Sequence, residues 1–531
     1  MPLDALAQSF ASQKRFKAGG PDLVTGDLVR AAPGACARLV HPLLTKTSLL
    51  GREPLSFKGG WAHPLYKGSG PPSLSVFYRQ ILLMNVIAKC HHRFMRERVC
   101  DIAVSLLLAT QCGGCKGRGT DIAGHYVRAF QAYDDQQKRS SVLAFADLKA
   151  AFYTVVREIL LPLDTSEDDR DAIVAAAPTP PALVPVLQAM MANPFLDPAK
   201  INDAHLADLL NDAHRCTWFA VKDAPAIGAT RTGTRPGGSL ADLIFNLVFL
   251  PMLRDLRDEL KARDITVLLD CSPHPVFAQG LAQEDAFLSE VAFVDDLAIP
   301  TMTSDNDNIE AHIVLVIEAI YLIAAQSGFA LNFGPTKTAV LVSLRGPAWR
   351  MASEKLFVHQ QAKVWLPLAK VWVPLPNTYK HLGSILHRDG LMAPEIAYRK
   401  TSQKQAIGPL QRAVYKRHQL PTKSKFNWTD SLCTSRLLFN ACTWPQLTDT
   451  TWQTLRTAYL HPYRLAMGRG SKGPNTTVCS NMTVLAESQR PDLDLALRIR
   501  RLKFFGRVLL VPPPSAFVSL GRYQGLVRKL D

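Results

Sequence analysis

The stretch VAFVDDLAIP, residues 291 to 300, decides how the rest of the chain is read. Asp295 and Asp296 stand side by side in a run that is otherwise apolar. Each apolar arm has strand character, and a two-residue Asp-Asp centre suits a tight hairpin turn, because Asp tolerates turn backbone conformations. The result is two carboxylates at the tip of a buried hairpin. Burying like charges together is costly unless a cation neutralises them, and a divalent metal ion meets that demand. The plainer reading is a turn capped by its own Asp side chains. Two other pairs, Asp134-Asp135 and Asp168-Asp169, lie in polar company and read as solvated helix or loop.

Working outward, the stretch SVLAFADLKAAF (Ser141 to Phe152) has the alternation of a strand. Leu143, Phe145 and Asp147 share one face, while Val142, Ala144 and Ala146 share the other. A carboxylate therefore ends a strand beside bulky apolar residues, where its ordinary role is a helix cap. Further on, TGTRPGGSLADLIFNLVF (Thr232 to Phe249) is a glycine turn feeding a helix. Gly233, Gly237 and Gly238 allow close backbone approach. Ser239 and Asp242 fit a capping box, and Leu240, Leu243, Ile244, Leu247 and Val248 form a helical stripe that ends at Pro251.

Upstream, HPLYKGSGPPSLSVFYRQILL (from His63) places Lys67 and Arg79 on either side of a Gly/Pro/Ser turn, both able to reach a phosphate chain. The loop QCGGCKGRGTD (Gln111 to Asp121) contains Cys112-x-x-Cys115. No second ligand pair follows at finger spacing, so close backbone packing is the expected role of this loop rather than zinc or redox chemistry. Downstream, Ile309 to Gln326 reads as a helix, Lys337 precedes a strand from Thr338 to Ser343, and Thr378 to Leu386 reads as a short strand pair around Gly383. From Glu395 onward the pattern is helical and basic, with RIRRLK (Arg498 to Lys503) a small cluster of the kind found in nuclear signals.

With 531 residues, the chain has room for two to four domains. An apolar fraction of 47% excludes wholesale disorder, and ten cysteines are too few for a disulfide scaffold, which points to reduced thiols inside a cell. The first residues have no long apolar core, so a secretory signal is not expected. The longest apolar stretch, Ala311 to Ala325, is short for a bilayer and contains Glu318, so a soluble protein without a membrane partner is expected. The net charge of +16 is unevenly placed. Residues 391–531 hold 22 Lys and Arg against 7 Asp and Glu, a net of +15, while residues 1–390 hold 39 against 38. A near-neutral body with a basic appendage suits a polyanion partner.

The order of these blocks is more telling than any one of them: YRQILL, QCGGCKGRGTD, AFADLKAAF, GTRPGGSLADLIFN, FVDDLAIP, SGFALNFGPTKT, YKHLGSIL. Over residues 60–390, and more weakly to about 470, the chain resembles reverse transcriptases of non-LTR (LINE-type) retrotransposons. The resemblance implies an α+β right-hand polymerase, with fingers, a palm built on an antiparallel sheet, and a helical thumb. Residues 1–60 would be an N-terminal extension, 61–345 fingers and palm, 346–470 the end of the palm and a basic thumb, and 471–531 a basic tail.

By the same resemblance, Asp147, Asp295 and Asp296 hold two Mg²⁺ ions (Mn²⁺ being a possible substitute), and Lys337 lies near the leaving pyrophosphate. Lys67 and Arg79 hold the triphosphate, Phe152 rejects a ribose 2′-hydroxyl, Gly237 lines the nucleotide, and Leu382 and Gly383 form the primer-gripping turn. The implied partners are an RNA template, a DNA primer or target, and dNTPs. The chain departs from the family where Pro236 replaces the Gln of the Gln-Gly turn, where Ala241-Asp242 replaces Ser-Pro, and at Ala151-Phe152-Tyr153. It shows neither an upstream endonuclease nor a terminal zinc knuckle. A catalytically inactive nucleic-acid-binding remnant and a group II intron-type enzyme stay open as alternatives.

Overall fold

A computed structural model describes residues 1–68, 70–137, 139–196, 203–224, 226–268, 287–288, 290–468 and 480–510. It is an α+β arrangement centred on a five-stranded sheet in the order Ala339–Ser343, Ser140–Ala146, Asp296–Thr303, Val291–Phe293, Gln111–Cys112. The first four strands pair antiparallel, and the two-residue edge strand joins in parallel. The sheet is thus mixed, where an antiparallel one was expected.

Ser140–Ala146 is buried throughout because both of its faces are covered. Val142, Ala144 and Ala146 belong to the core formed with Leu247 and Phe249 of helix Ala241–Ala262 and Ile313 and Ile317 of helix Ile309–Gln326. Leu143 and Phe145 point the other way, into a cluster with Tyr126 and Phe130 of helix Thr120–Gln137. Tyr379 stacks on Phe145 there, ring centroids 4.2 Å apart. The alternation read from the sequence is therefore the division between two cores. Ile309–Gln326 is long and apolar enough to cross a membrane by length and composition. Its Ile309, Ile313, Ile317 and Ile320 are instead buried in the first of these cores.

A second sheet, in the order Tyr78–Met84, Gly59–Tyr66, Trp218–Val221, Ile227–Ala229, lies beside the first. Leu6, Phe10 and Leu44, from the segment read as an extension, pack with Val86 and Cys90 of helix Val86–Leu106. A separate helical core gathers residues from Met392 to Leu497, with Trp444 and Tyr463 fully buried at its centre. Of the expected tail, residues 471–479 and 511–531 lie outside the described residues. Helix Leu493–Leu510, which carries RIRRLK, contributes Leu493 and Leu497 to the helical core, and its Phe504 packs against His125 with ring centroids 5.7 Å apart.

Three local readings are corrected. Helix Ala241–Ala262 continues through Pro251 instead of ending there. The capping box does not form, because the Ser239 hydroxyl donates to Lys89 O at 3.0 Å and Asp242 pairs with Arg96. Asp134, read as solvated, is buried and accepts from the Ser141 hydroxyl at 2.8 Å.

Phe145 is buried and stacks on Tyr379, so Phe145→Ala is expected to cost about 3–5 kcal/mol of unfolding free energy, read from a denaturant midpoint.

Candidate active site

The site lies at the end of the sheet where the central strand runs out. Leu297 pairs with Ala146 in the antiparallel ladder, so the next residues in each direction, Asp296 and Asp147, stand on neighbouring strands. Phe293 pairs with Asp296, which puts Val294 and Asp295 in the two-residue turn. The sequence reading placed both aspartates at the centre of that turn. It is displaced by one residue, because Asp296 already belongs to the ladder. Val294 adopts φ 56°, uncommon for a β-branched residue. It is held from below by Gly113, where an added Cβ would stand 2.5 Å from Val294 Cγ2, and by its own amide donating to Cys112 O at 3.1 Å. The Gly-rich loop thus performs the close backbone packing expected of it. Cys115 hydrogen-bonds Cys100 on helix Val86–Leu106, not Cys112.

Asp295 and Asp296 feel neighbouring carboxylate charge. Burial, then the Asp295 and Asp147 charges, push the Asp296 carboxyl up to about 6, and Lys337 and Arg79 only partly offset this. Burial raises Asp295 as well, with Asp147 adding to the effect and Arg79 and Lys337 opposing it. Asp296 is exposed and Asp295 half-buried, so both carboxylates can be reached from solvent. Asp147 has its own partners. Lys337 Nζ lies 3.0 Å from its Oδ1, Asn332 Nδ2 donates to Oδ2 at 2.8 Å, and its amide donates to the Thr338 hydroxyl at 3.3 Å.

The sequence reading missed two of these neighbours. Tyr379 donates its hydroxyl to Lys337 O at 2.7 Å, and its phenol is pushed above its ordinary range by burial and by the Asp296 and Asp147 charges. Asn332 sits in the quoted block SGFALNFGPTKT but carries no charge pattern to mark it.

Phe152 and Gly237 line one pocket of about 420 Å³, together with Arg96, Pro236, Ser239 and Asp242. Gly237 adopts φ 103°, and a Cβ there would stand 2.6 Å from Leu82 O, so only glycine fits. Phe152 stacks on Phe245 at 5.0 Å. Arg96 links this pocket to the Gly-rich loop, pairing with Asp242 and donating to Gly114 O. Pocket and carboxylates therefore flank the same loop.

Arg79 projects from strand Tyr78–Met84 close enough to act on both Asp295 and Asp296. Lys67 stands at the loop end of the same hairpin, its amide donating to Phe77 O at 2.8 Å. Leu382 and Gly383 form the turn between strands Thr378–His381 and Ser384–His387, both at positive φ (47° and 79°), which suits the twist of a tight hairpin. Glu395 accepts from Ile385 N at 2.6 Å and pairs with Arg399 at 2.7 Å, and Arg399 donates to Gly383 O.

A scan against protein-family models and a search of curated proteins both return no match for this chain.

Among the described residues, no three His, Cys, Asp or Glu side chains already surround a common metal position. The donors nevertheless fit a hard divalent ion. They are carboxylates only, and two of them are held above their ordinary range by burial and by neighbouring carboxylate charge. Taking up an ion in common would require Asp147 to share or give up Lys337.

Because the folded-state value of Asp296 lies above that of an unfolded Asp, the folded protein binds the extra proton. Its contribution to stability is present below about pH 4 and is lost as pH rises through about 6. Metal-free protein is therefore expected to lose melting temperature over this window relative to Asp296→Asn. Mg²⁺ should raise the melting temperature at about pH 7.5 and not at about pH 5. Equal pH profiles for the two proteins would remove the electrostatic argument.

Gly237→Ala is expected to destabilise the protein by about 1–3 kcal/mol through backbone strain alone, and more if Leu82 must shift. Thermal denaturation of the variant checks this.

Proposed function

We propose that this chain is an RNA-directed DNA polymerase with a right-hand architecture, similar to the enzymes of LINE-type retrotransposons. The observation that carries the reading is the meeting of Asp147 with Asp295 and Asp296 at one end of the sheet, next to a pocket that holds Phe152 and Gly237. These residues lie far apart in sequence, and the resemblance gives each of them a role. In this reading the five-stranded sheet is the palm, the hairpin Gly59–Tyr66 and Tyr78–Met84 belongs to the fingers, and the helical core from Met392 onward is the thumb.

Asp147, Asp295 and Asp296 would hold Mg²⁺. When bound, a pair of such ions activates the primer 3′-hydroxyl and stabilises the leaving oxygens of an in-line displacement. The chain's own groups do the rest. Phe152 and the Gly237 backbone bound the sugar and base of the incoming nucleotide. Arg79 and Lys337 bring positive charge to the phosphates, and Lys337 is held toward the carboxylates through its carbonyl by Tyr379. Lys400 and Lys404 on helix Ala393–Leu410, with Arg464 on helix Asp449–Ala466, would offer a cationic face around His461 to the template-primer backbone. Burial, then the neighbouring charges of Arg464, Lys404 and Lys400, hold His461 below its ordinary value, as such a face requires.

A second reading rests on the Asp147–Lys337 ion pair and on Pro236: a scaffold that binds nucleic acid without copying it. One assay separates the two. With Mg²⁺, primed poly(rA) and labelled dTTP, the wild type is expected to incorporate label. Asp295→Asn should lose more than about 100-fold of that rate while binding duplex normally. Incorporation by the variant equal to wild type would sink the polymerase assignment, and binding without incorporation by the wild type would favour the scaffold. Binding should also weaken steeply with salt, and Lys400→Ala with Lys404→Ala should flatten the log–log salt slope by about 1 per lost phosphate contact.

A further inference from the structure

The Gly-rich loop beneath the Asp295 turn is itself held by the helix that begins at the Gly237 pocket. Asp242 and Asn246 lie four residues apart on helix Ala241–Ala262, so they share one face. Asn246 is fully buried. Its Nδ2 donates to Gly113 O at 2.8 Å, and its carbonyl accepts from Gln111 Nε2 at 2.7 Å. Asp242 reaches the next loop carbonyl through Arg96. Arg96 Nη1 donates to Ser239 O at 2.6 Å and to Asp242 Oδ1, while Nη2 donates to Asp242 Oδ2 at 3.0 Å and to Gly114 O. One guanidinium thus spans the end of the glycine turn, the first turn of the helix and the Gly-rich loop.

The loop has little room to move between its two neighbours. Gly113 and Gly114 adopt φ 82° and 65°. A Cβ on Gly114 would stand 2.7 Å from Asn246 Nδ2, and one on Gly113 would stand 2.5 Å from Val294 Cγ2. On the far side, Cys112 O accepts from Val294 N at 3.1 Å, and Val294 directly precedes Asp295. Hydrogen bonds and close contacts therefore run without a gap from Ser239 through Arg96 and the loop to Val294. Arg96 also lines the pocket with Gly237 and Ser239, so a molecule bound there meets the group that holds the loop. Asn246 holds the same loop from outside the pocket lining.

We propose that Arg96 and Asn246 are positioning residues that couple the Gly237 pocket to the Asp295 and Asp296 carboxylates, with the Gly-rich loop as the part they share. The inference rests on the polymerase reading for the identity of the nucleotide and the ion, but the coupling itself stands on the hydrogen bonds. A planar guanidinium suits the task because its donors are fixed in a fork and meet several acceptors at once. An ammonium group is a point charge on a flexible stem and does not reproduce that geometry.

The decisive measurement is hydrogen exchange by mass spectrometry on full-length protein. Arg96→Met removes the fork and keeps an apolar stem. It is expected to speed exchange of segments 111–119 and 291–295 at least about 10-fold, while strand Ser140–Ala146 and helix Ile309–Gln326 keep wild-type protection. Arg96→Lys is expected to exchange like Arg96→Met, and Asn246→Ala to loosen the same two segments. In primer extension on primed poly(rA), Arg96→Met should raise both KM for dTTP and the Mg²⁺ concentration for half-maximal rate about 10-fold. Asn246→Ala should raise the Mg²⁺ requirement as much, although it does not line the pocket. Wild-type exchange at 111–119 and 291–295 in Arg96→Met overturns the proposal, as does a uniform loss across all segments or wild-type behaviour of Arg96→Lys. Faster local exchange with an unchanged Mg²⁺ requirement in an active enzyme also overturns it. If one of Arg96→Met and Asn246→Ala does not fold, the other decides by the same two readouts. A wild type that incorporates nothing refutes the polymerase reading and leaves the exchange experiment to decide on the coupling.

Discussion

The arrangement depends on one backbone ladder. The hydrogen bonds between Ser140–Ala146 and Asp296–Thr303 set which residues face each other, and side chains in a strand alternate with a period of two. A slip of one residue would turn Phe145 and Asp147 to the opposite side of the sheet, toward Leu247 and Ile313 of the helices that now pack on Val142, Ala144 and Ala146. The register is protected because both faces of the central strand are apolar and differently shaped, with small residues toward the helices and Leu143 and Phe145 toward the aromatic cluster. The core therefore enforces a placement that electrostatics alone opposes. Two unit charges 4 Å apart repel by about 4 kcal/mol at an effective dielectric of 20. Apolar packing of this extent outweighs a repulsion of that size.

Around that ladder, the turns of the candidate site are held by ionic or charge-assisted contacts. Arg157 satisfies the carbonyls before the glycine turn, Arg96 ties Asp242 to the Gly-rich loop, and Glu395 with Arg399 grips the turn at Gly383. A charged group with several fixed hydrogen bonds gives directional restraint, which van der Waals contact does not. The same turns carry residues at positive φ, Val294, Arg235 and Leu382 among them. Such conformations persist only where the surroundings over-determine them.

Much of this was legible in the sequence, for a physical reason. The alternation of Val142 to Asp147, the helix over Ile309–Gln326 and the strands around Gly383 are local patterns, and they match the structure closely. Arg79, Phe152 and Gly237 were given their site roles by the resemblance; the structure sets Arg79 where its charge acts on Asp295 and Asp296, and puts Phe152 and Gly237 in one pocket. What failed was local chemistry decided by distant partners. Ser239 and Asp242 had the spacing of a capping box, but Lys89 O and Arg96 compete for them from another helix. Asp134 read as solvated because its neighbours in sequence are polar, while its partner Ser141 comes from the central strand. Pro251 was expected to end a helix that tertiary packing carries onward to Ala262. Tyr379 and Asn332 were invisible because nothing in their own segments distinguishes a residue that meets Asp147 from one that does not.

The stacked pair of Phe145 and Tyr379 has a mechanical meaning. Phe145 is two residues from Asp147 on the same strand, and Tyr379 begins the hairpin whose turn is clasped by the helix carrying Glu395 and Arg399. An unbroken series of stiff parts thus runs from the helical core to the carboxylates: helix, ion pair, hairpin, aromatic plate, strand. A tilt of that helix would arrive at the cleft as a shift of the ring, because each of these parts is tied to the next.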